Sequence, residues 1–75
     1  MKKMLGLWQE SLGNVREIRE RGDTAVLTLE GVGDIALRND RDLISKLRRA
    51  IGQRIGILRT DIPGREYIFR KFTRR

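Results

Sequence analysis

Turn signals fall at short intervals along this chain, and only one stretch between them has the length and periodicity of a helix. Arg21-Gly22-Asp23, Gly31-Val32-Gly33 and Asp61-Ile62-Pro63-Gly64 bracket segments of alternating apolar and polar residues. Alternation between closely spaced turns favours β structure. Residues 24–30 read as a strand, with Ala25, Leu27 and Leu29 on one face and Val26 and Thr28 on the other. Residues 34–38 follow, with Ile35 and Leu37 sharing a face. Residues 53–60 put Ile55 and Ile57 inward, and residues 65–73 put Tyr67 and Phe69 on one face. The Pro-Gly pair at 63–64 suits the two central positions of a type II turn. Thr73-Arg74-Arg75 reads as a frayed tail.

The exception is residues 40–51. Leu43, Leu47, Ala50 and Ile51 make a single apolar stripe at helical spacing, with Ile44 beside it. Asn39 is a suitable N-cap, Asp40 and Asp42 suit the first turn, and Lys46, Arg48 and Arg49 suit the last. Gly52 stands where a helix is commonly stopped.

Residues 12–20 pull both ways. Leu12, Val15 and Ile18 are spaced by three, and Leu5 and Trp8 extend the pattern backwards. Gly6 and Gly13 each cost a helix about 1 kcal/mol. A strand over 13–21, with a bulge between Val15 and Ile18, also puts both inside. The bulged strand, with a short helix at 3–11, is the expectation; one amphipathic helix over 3–20 is the alternative.

A chain of 75 residues makes one domain, burying only about 60% of its unfolded surface. Residues 1–11 read as an N-terminal extension and 12–73 as the barrel. There is no cysteine and no histidine. Disulfides, thiolate or imidazole zinc sites, Ser-His-Asp triads and Cys-His pairs are excluded within this chain. The acids do not suggest catalysis either. Glu17 and Glu20 lie among Arg16, Arg19 and Arg21, and Asp40 and Asp42 read as helix N-terminal charges. No enzyme activity, cofactor, metal site or small-molecule substrate is expected. Arg21-Gly22-Asp23 spells an integrin-binding tripeptide but reads here as a hairpin turn. The apolar run Met4–Trp8 is shorter than the roughly 7–15 residues of a secretory core or the roughly 20 of a membrane span. A cytoplasmic protein that does not enter membranes is expected.

Charge is unevenly divided. Residues 1–43 carry seven Lys/Arg against eight Asp/Glu; residues 44–75 carry ten against two, and the net charge is +7. Such asymmetry suggests a surface for a polyanion. Arginine outnumbers lysine 13 to 4, which suits bidentate phosphate contact.

The predicted order is therefore β-β-β-α-β-β, a mainly β chain with one helix between the third and fourth strands. This order resembles the OB-fold, a five-stranded barrel. The likeness covers residues 12–73 and includes Gly13-x-Val15 opening the first long strand, the Gly31-Val32-Gly33 connection and a helix ending at Gly52 before Gln53-Arg54-Ile55. Gly64-Arg65-Glu66-Tyr67-Ile68-Phe69-Arg70 further resembles the last strand of bacterial translation initiation factor 1, a family with an OB barrel that binds ribosomal RNA.

The OB resemblance implies ligand binding on strands two and three and the flanking loops. Arg38, Arg54, Arg59, Arg65, Arg70 and Lys71 are the candidate phosphate contacts, with Lys46, Arg48 and Arg49 as an outlying patch on the helix. Residues 24–38 contain no aromatic residue, so the expectation is phosphate and shape recognition of RNA or single-stranded nucleic acid, structured RNA ahead of a splayed single strand, with little base preference.

A turn centred on Pro63 sets a register in which paired residue numbers sum to 126. Ile57 then faces Phe69 inward, while Leu58 faces Ile68 outward with Phe72. The resulting outer apolar patch needs a cover. Leu5, Leu7 and Trp8 folding over it is one reading. A homodimer or protein-partner interface formed by Leu58, Ile68, Phe72 and Trp8 is the other, the basic charge then serving an acidic protein surface.

Overall fold

Residues 12–20, with their helical spacing and their glycines, are strand. The computed structural model describes residues 3–72, so the expected tail at 73–75 lies outside the described residues. The elements are β1 (Lys3–Met4), β2 (Glu10–Arg21), β3 (Thr24–Glu30), β4 (Gly33–Arg38), α1 (Arg41–Arg48), β5 (Arg54–Arg59) and β6 (Tyr67–Phe72). Apart from the two-residue β1, the order is the expected β-β-β-α-β-β.

Strand β2 explains the architecture. Its second half pairs antiparallel with β3 and its first half pairs antiparallel with β5. The register shifts between Val15 and Glu17, which leaves Arg16 as the extra residue. One inserted residue bends a strand and resets which side chains point inward. Val15 and Ile18 are therefore both buried, although three positions apart. The same strand thus serves two antiparallel partners, and the sheet curls around one core. That core joins Leu27, Leu29, Ile35, Leu37, Ile55 and Ile57 of the sheet to Leu43, Ile44 and Leu47 of α1. Each such side chain, fully buried, is worth roughly 1.5–3 kcal/mol. Tyr67 and Phe69 pack against it from β6.

The strand order is β1-β4-β3-β2-β5-β6, and the sheet is not closed into the expected barrel. Among the described residues no ladder joins β4 to β6. Strand β1 runs parallel along the edge of β4, Lys3 opposite Ile35 and Met4 opposite Ala36, and occupies backbone that closure would need. At the far end of β4 an ion pair bridges the two edges, Arg38 to Glu66.

No helix forms at 3–11. Leu5 is buried in the main core, and a turn follows in which Gln9 accepts the Gly6 N–H on its side chain at 2.8 Å. The Trp8 N–H then donates to the Arg59 carbonyl at 2.6 Å, and Trp8 takes a left-handed φ of 62°. Burial of one leucine and pairing with β5 override the helical spacing. The boundary expected at residue 12 falls inside β2.

Helix α1 starts where expected but is capped differently. Asp40, not Asn39, is the N-cap, accepting from the Asp42 and Leu43 N–H groups at 3.0 and 3.4 Å. Asn39 instead donates its side-chain amide to the Gly22 carbonyl at 2.9 Å, tying the helix entry to the β2–β3 turn. The helix ends at Arg48, short of residue 51. Beyond it the Gly52 N–H donates to the Val15 carbonyl and the Val15 N–H to the Gln53 carbonyl, at 2.8 and 2.9 Å. Capture of the chain by β2 ends the helix early, and Ile51 is exposed rather than part of the stripe. Gly52 supplies the left-handed turn this needs, at φ 89°. Among the described residues no helix is long and apolar enough to cross a membrane.

Candidate nucleic-acid interface

The nine candidate cations do not form one surface. Three are tied to acids. Arg38 reaches Glu66 at 3.5 Å, and Arg59 reaches the other oxygen of the same carboxylate at 3.8 Å. Arg59 also donates to the Leu5 carbonyl at 2.8 Å, and its Nε is buried without a partner. It lies on the inward-facing side of β5, in register with Tyr67. Its geometry is that of a clamp holding the N-terminal segment against the open edge. The Tyr67 phenol beside it is raised above its ordinary value, chiefly by burial, with Glu66 adding and Arg59 opposing. Arg48 closes a third pair, donating to Glu20 at 2.7 Å. That bond, assisted by Asn39, holds the Glu20 carboxyl below its ordinary value.

Three more lie around the helix and the last turn. Lys46 and Arg65 line an open cleft of about 420 Å³ together with Asp40, Asp42 and Tyr67. The cleft carries both signs of charge. Arg49 is the helix C-cap and exposed. The loop carrying Arg65 is held by buried Thr60, whose hydroxyl donates to the Arg65 carbonyl and accepts from the Ile62 N–H.

The last three, Arg54, Arg70 and Lys71, are exposed on the β5–β6 hairpin and have no acidic partner among the described residues. Every pair in this hairpin has numbers summing to 126, from Arg54 with Phe72 to Arg59 with Tyr67, so the register expected from Pro63 is the observed one. Arg54 and Arg70 are on the outer face; Lys71 is opposite Ile55 on the other. Arg54 and Arg70 are diagonal neighbours, about 7–8 Å apart by sheet geometry.

The outer face of this hairpin also carries the expected apolar residues. Leu58 faces Ile68, and Phe72 lies four residues along on the same face, beyond Arg70. Ile68 and Phe72 are 37% and 43% exposed. Leu5 goes to the main core rather than over them, and Leu7 and Trp8 are more than half exposed. A residue that sequence reasoning missed joins the patch: Leu12, opposite Gly56 on the first half of β2, is 44% exposed. Its spacing with Val15 and Ile18 pointed to burial; plain strand alternation turns it outward from Val15, and the bulge at Arg16 brings Ile18 alone back inward.

The face expected to bind ligand, on β2, β3 and β4, is different. Arg19 on β2 reaches across β3 to Asp34 on β4 at 3.2 Å and holds Glu17 at 2.9 Å. Thr28, between them, donates to Asp34 at 2.7 Å. Val26, in register with Arg19 and Ala36, is buried on this outer side. The centre of this face is polar and internally paired, Arg21 at the end of β2 is exposed without an ion pair among the described residues, and β2, β3 and β4 carry no aromatic side chain. Among the described residues no group of three carboxylates gathers to hold a metal ion.

Comparison with protein-family models, with curated proteins and with solved structures finds no match for this chain.

Proposed function

We propose that this chain is a small, cytoplasmic, OB-type protein that binds nucleic acid, RNA ahead of DNA, by phosphate contact with low sequence specificity. The observation that carries this reading is the set of cations on one hairpin that form no ion pair among the described residues: Arg54, Arg70 and Lys71 stand unpaired although the chain has ten acids, with Glu10 the acid on the same outer face. Unpaired guanidinium groups are available for bidentate phosphate contacts and release counterions when they make them. The OB likeness rests on element order and on the curl imposed by the bulged β2. The segment resembling the last strand of translation initiation factor 1 contains Arg70 and lies in the same hairpin. In this chain the paired charges of the β2–β4 face shift the interface from strands two and three to the last hairpin. No catalysis is proposed.

Fluorescence anisotropy of labelled single-stranded RNA, single-stranded DNA and duplexes, titrated at several salt concentrations, tests this. Engagement of four or five phosphates gives a slope of log K against log salt of roughly −3 for single strands. Absence of binding to all of them at low salt refutes the reading.

A second reading, a protein-interaction module or homodimer, is favoured by the exposure of Leu12, Ile68 and Phe72 on one face. Its test is molar mass across a dilution series. A monomer throughout refutes the homodimer.

A further inference from the structure

We infer that the outer face formed by β5, β6 and the first half of β2 is a stacking platform for unpaired bases, so that the polyanion it takes is a single strand and not a duplex. This rests on the nucleic-acid reading above and gives it a ligand class.

The face is built in three rows. Phe72, Arg54 and Asn14 lie side by side, then Arg70, Gly56 and Leu12, then Ile68, Leu58 and Glu10. Gly56 is the centre of this grid and has no side chain. A Cβ there would lie 2.7 Å from Leu12 Cδ2 and 3.1 Å from Phe72 Cε2, so both side chains lean in over the glycine. The result is a shallow floor with Leu12 on one side, the Phe72 ring on the other and the Glu10 carboxylate reaching in at 3.1 Å. Phe72 has Arg54 directly opposite and Arg70 two residues before it on its own strand.

This pairing of chemistries selects a single strand. A duplex presents phosphates and keeps its base faces stacked inside, so it would engage Arg54 and Arg70 and leave Phe72, Leu12 and Ile68 in water. A single strand offers both groups at once: phosphates for the arginines and a base face for the ring. The β2–β4 face has neither a free cation in its Glu17–Arg19–Asp34 network nor an aromatic residue.

Charge decides between a polyanion and a second copy of the chain. The outer face carries Arg54 and Arg70 against one acid, Glu10, whose Oε2 also lies toward Gly56. A two-fold contact would bring this cationic excess against itself. Edge-to-edge pairing of β6 would do the same with Arg70 and Lys71, and like charges set opposite one another destabilise a sheet. A polyanion is complementary to the same charges.

The test uses a fluorescein-labelled oligouridylate and an RNA duplex of equal length, with Phe72→Leu, Arg54→Ala/Arg70→Ala and Glu10→Gln compared with the parent chain. Phe72→Leu keeps apolar area but removes the ring. Its expected effect is a loss of roughly fivefold to a hundredfold in affinity for the single strand, and little change for the duplex. The double arginine variant is expected to weaken both ligands and lower the salt dependence. Glu10→Gln is expected to tighten binding of the single strand. A Phe72→Trp variant supplies a direct signature, since its emission should be quenched as bases stack on it. Unchanged thermal melting of Phe72→Leu separates lost stacking from lost folding. Equal affinity of the parent for both ligands, with Phe72→Leu indistinguishable from it, overturns the platform but leaves nucleic-acid binding standing. Failure of the parent to bind either ligand at low salt overturns the function itself. Mass that doubles with concentration, and falls back in Phe72→Leu, overturns the platform in favour of a homodimer.

Discussion

The two outer faces of this curled sheet are made from the same β2 strand and treat charge in opposite ways. On the β2–β4 side, Arg19 spans β3 to reach Asp34 and holds Glu17, and Thr28 adds a hydrogen bond to Asp34. The charges at the centre of that face are spent on one another, the exposed Arg21 lies at its end, and the apolar Val26 beneath is buried. On the β2–β5–β6 side, Arg54 and Arg70 form no ion pair among the described residues, Glu10 notwithstanding, and Phe72, Ile68 and Leu12 are exposed. An exposed ion pair contributes about 0–1 kcal/mol to folding, so the first arrangement adds little stability. What it does is neutralise a surface. The second leaves charge and apolar area uncompensated within the folded monomer.

Substitutions can break or sharpen this contrast. The largest effect is expected from Arg54→Glu/Arg70→Glu, which reverses the sign of the β5–β6 face. Binding of RNA at about 0.1 M salt, where screening acts over roughly 10 Å, should be lost in an anisotropy titration. The milder Arg54→Ala/Arg70→Ala should reduce the salt slope by about 0.7 per arginine on single strands. An unchanged slope would mean that the unpaired cations are not the ones in contact.

Next comes Arg59→Ala, which asks whether a paired cation behaves differently from an unpaired one. It removes the bond to the Leu5 carbonyl and the contact with Glu66. A cost of about 1–3 kcal/mol is expected, read as a lower Tm, with affinity of the folded protein retained. Lost affinity at full stability would place Arg59 in the interface and dissolve the distinction between clamp and contact.

Smaller still is Asp34→Asn on the opposite face. It loosens Arg19 and Thr28 for about 0.5–1.5 kcal/mol of stability, and RNA binding should hold or rise slightly because Arg19 is released. A fall in affinity would move the interface back to β2–β4.

The least effect is expected from pH. Glu20 is exposed and its carboxyl is held below the ordinary value by Arg48. Its contribution to stability is present above the ordinary glutamate range and declines as pH falls through the lowered folded value. Denaturation midpoints followed downward from about pH 5 should therefore show a shallow loss that Glu20→Gln lacks. Tyr67 acts with the opposite sign: its raised phenol contributes stability that is lost as pH rises beyond the ordinary tyrosine range. A midpoint in Tyr67→Phe that falls as steeply as in the parent above that range would contradict this.

Local rules read much of this molecule correctly because the features concerned are local. Strand β3, strand β4 and the hairpin register need only neighbouring residues and a Pro-Gly turn. The errors lie where distant segments compete. Asn39 had the better position for a cap, but Gly22 takes its amide and Asp40 caps instead. Ile51 completed a helical stripe, but Val15 captures the backbone on either side of Gln53 and the helix stops first. Leu12 shared the spacing of Val15 and Ile18, but strand alternation turns it outward while the inserted Arg16 brings Ile18 inward. For the candidate interface, the cations were visible as a composition, but which of them are neutralised was not.

The sequence by itself determined that this chain would be mainly β, with one helix between its third and fourth long strands, an outward apolar pair at Leu58 and Ile68, and no thiol or imidazole chemistry. These follow from periodicity, turn residues and the residue types present, all of which act over a few positions. Only the tertiary structure decided that the sheet stays open, that Lys3 and Met4 line its β4 edge, and that Arg38, Arg48 and Arg59 are held by acids while, among the described residues, Arg54 and Arg70 are not. Ion pairs and edge contacts join residues far apart in sequence, such as Arg59 and the Leu5 carbonyl. Their formation depends on a path of the backbone that no short window contains.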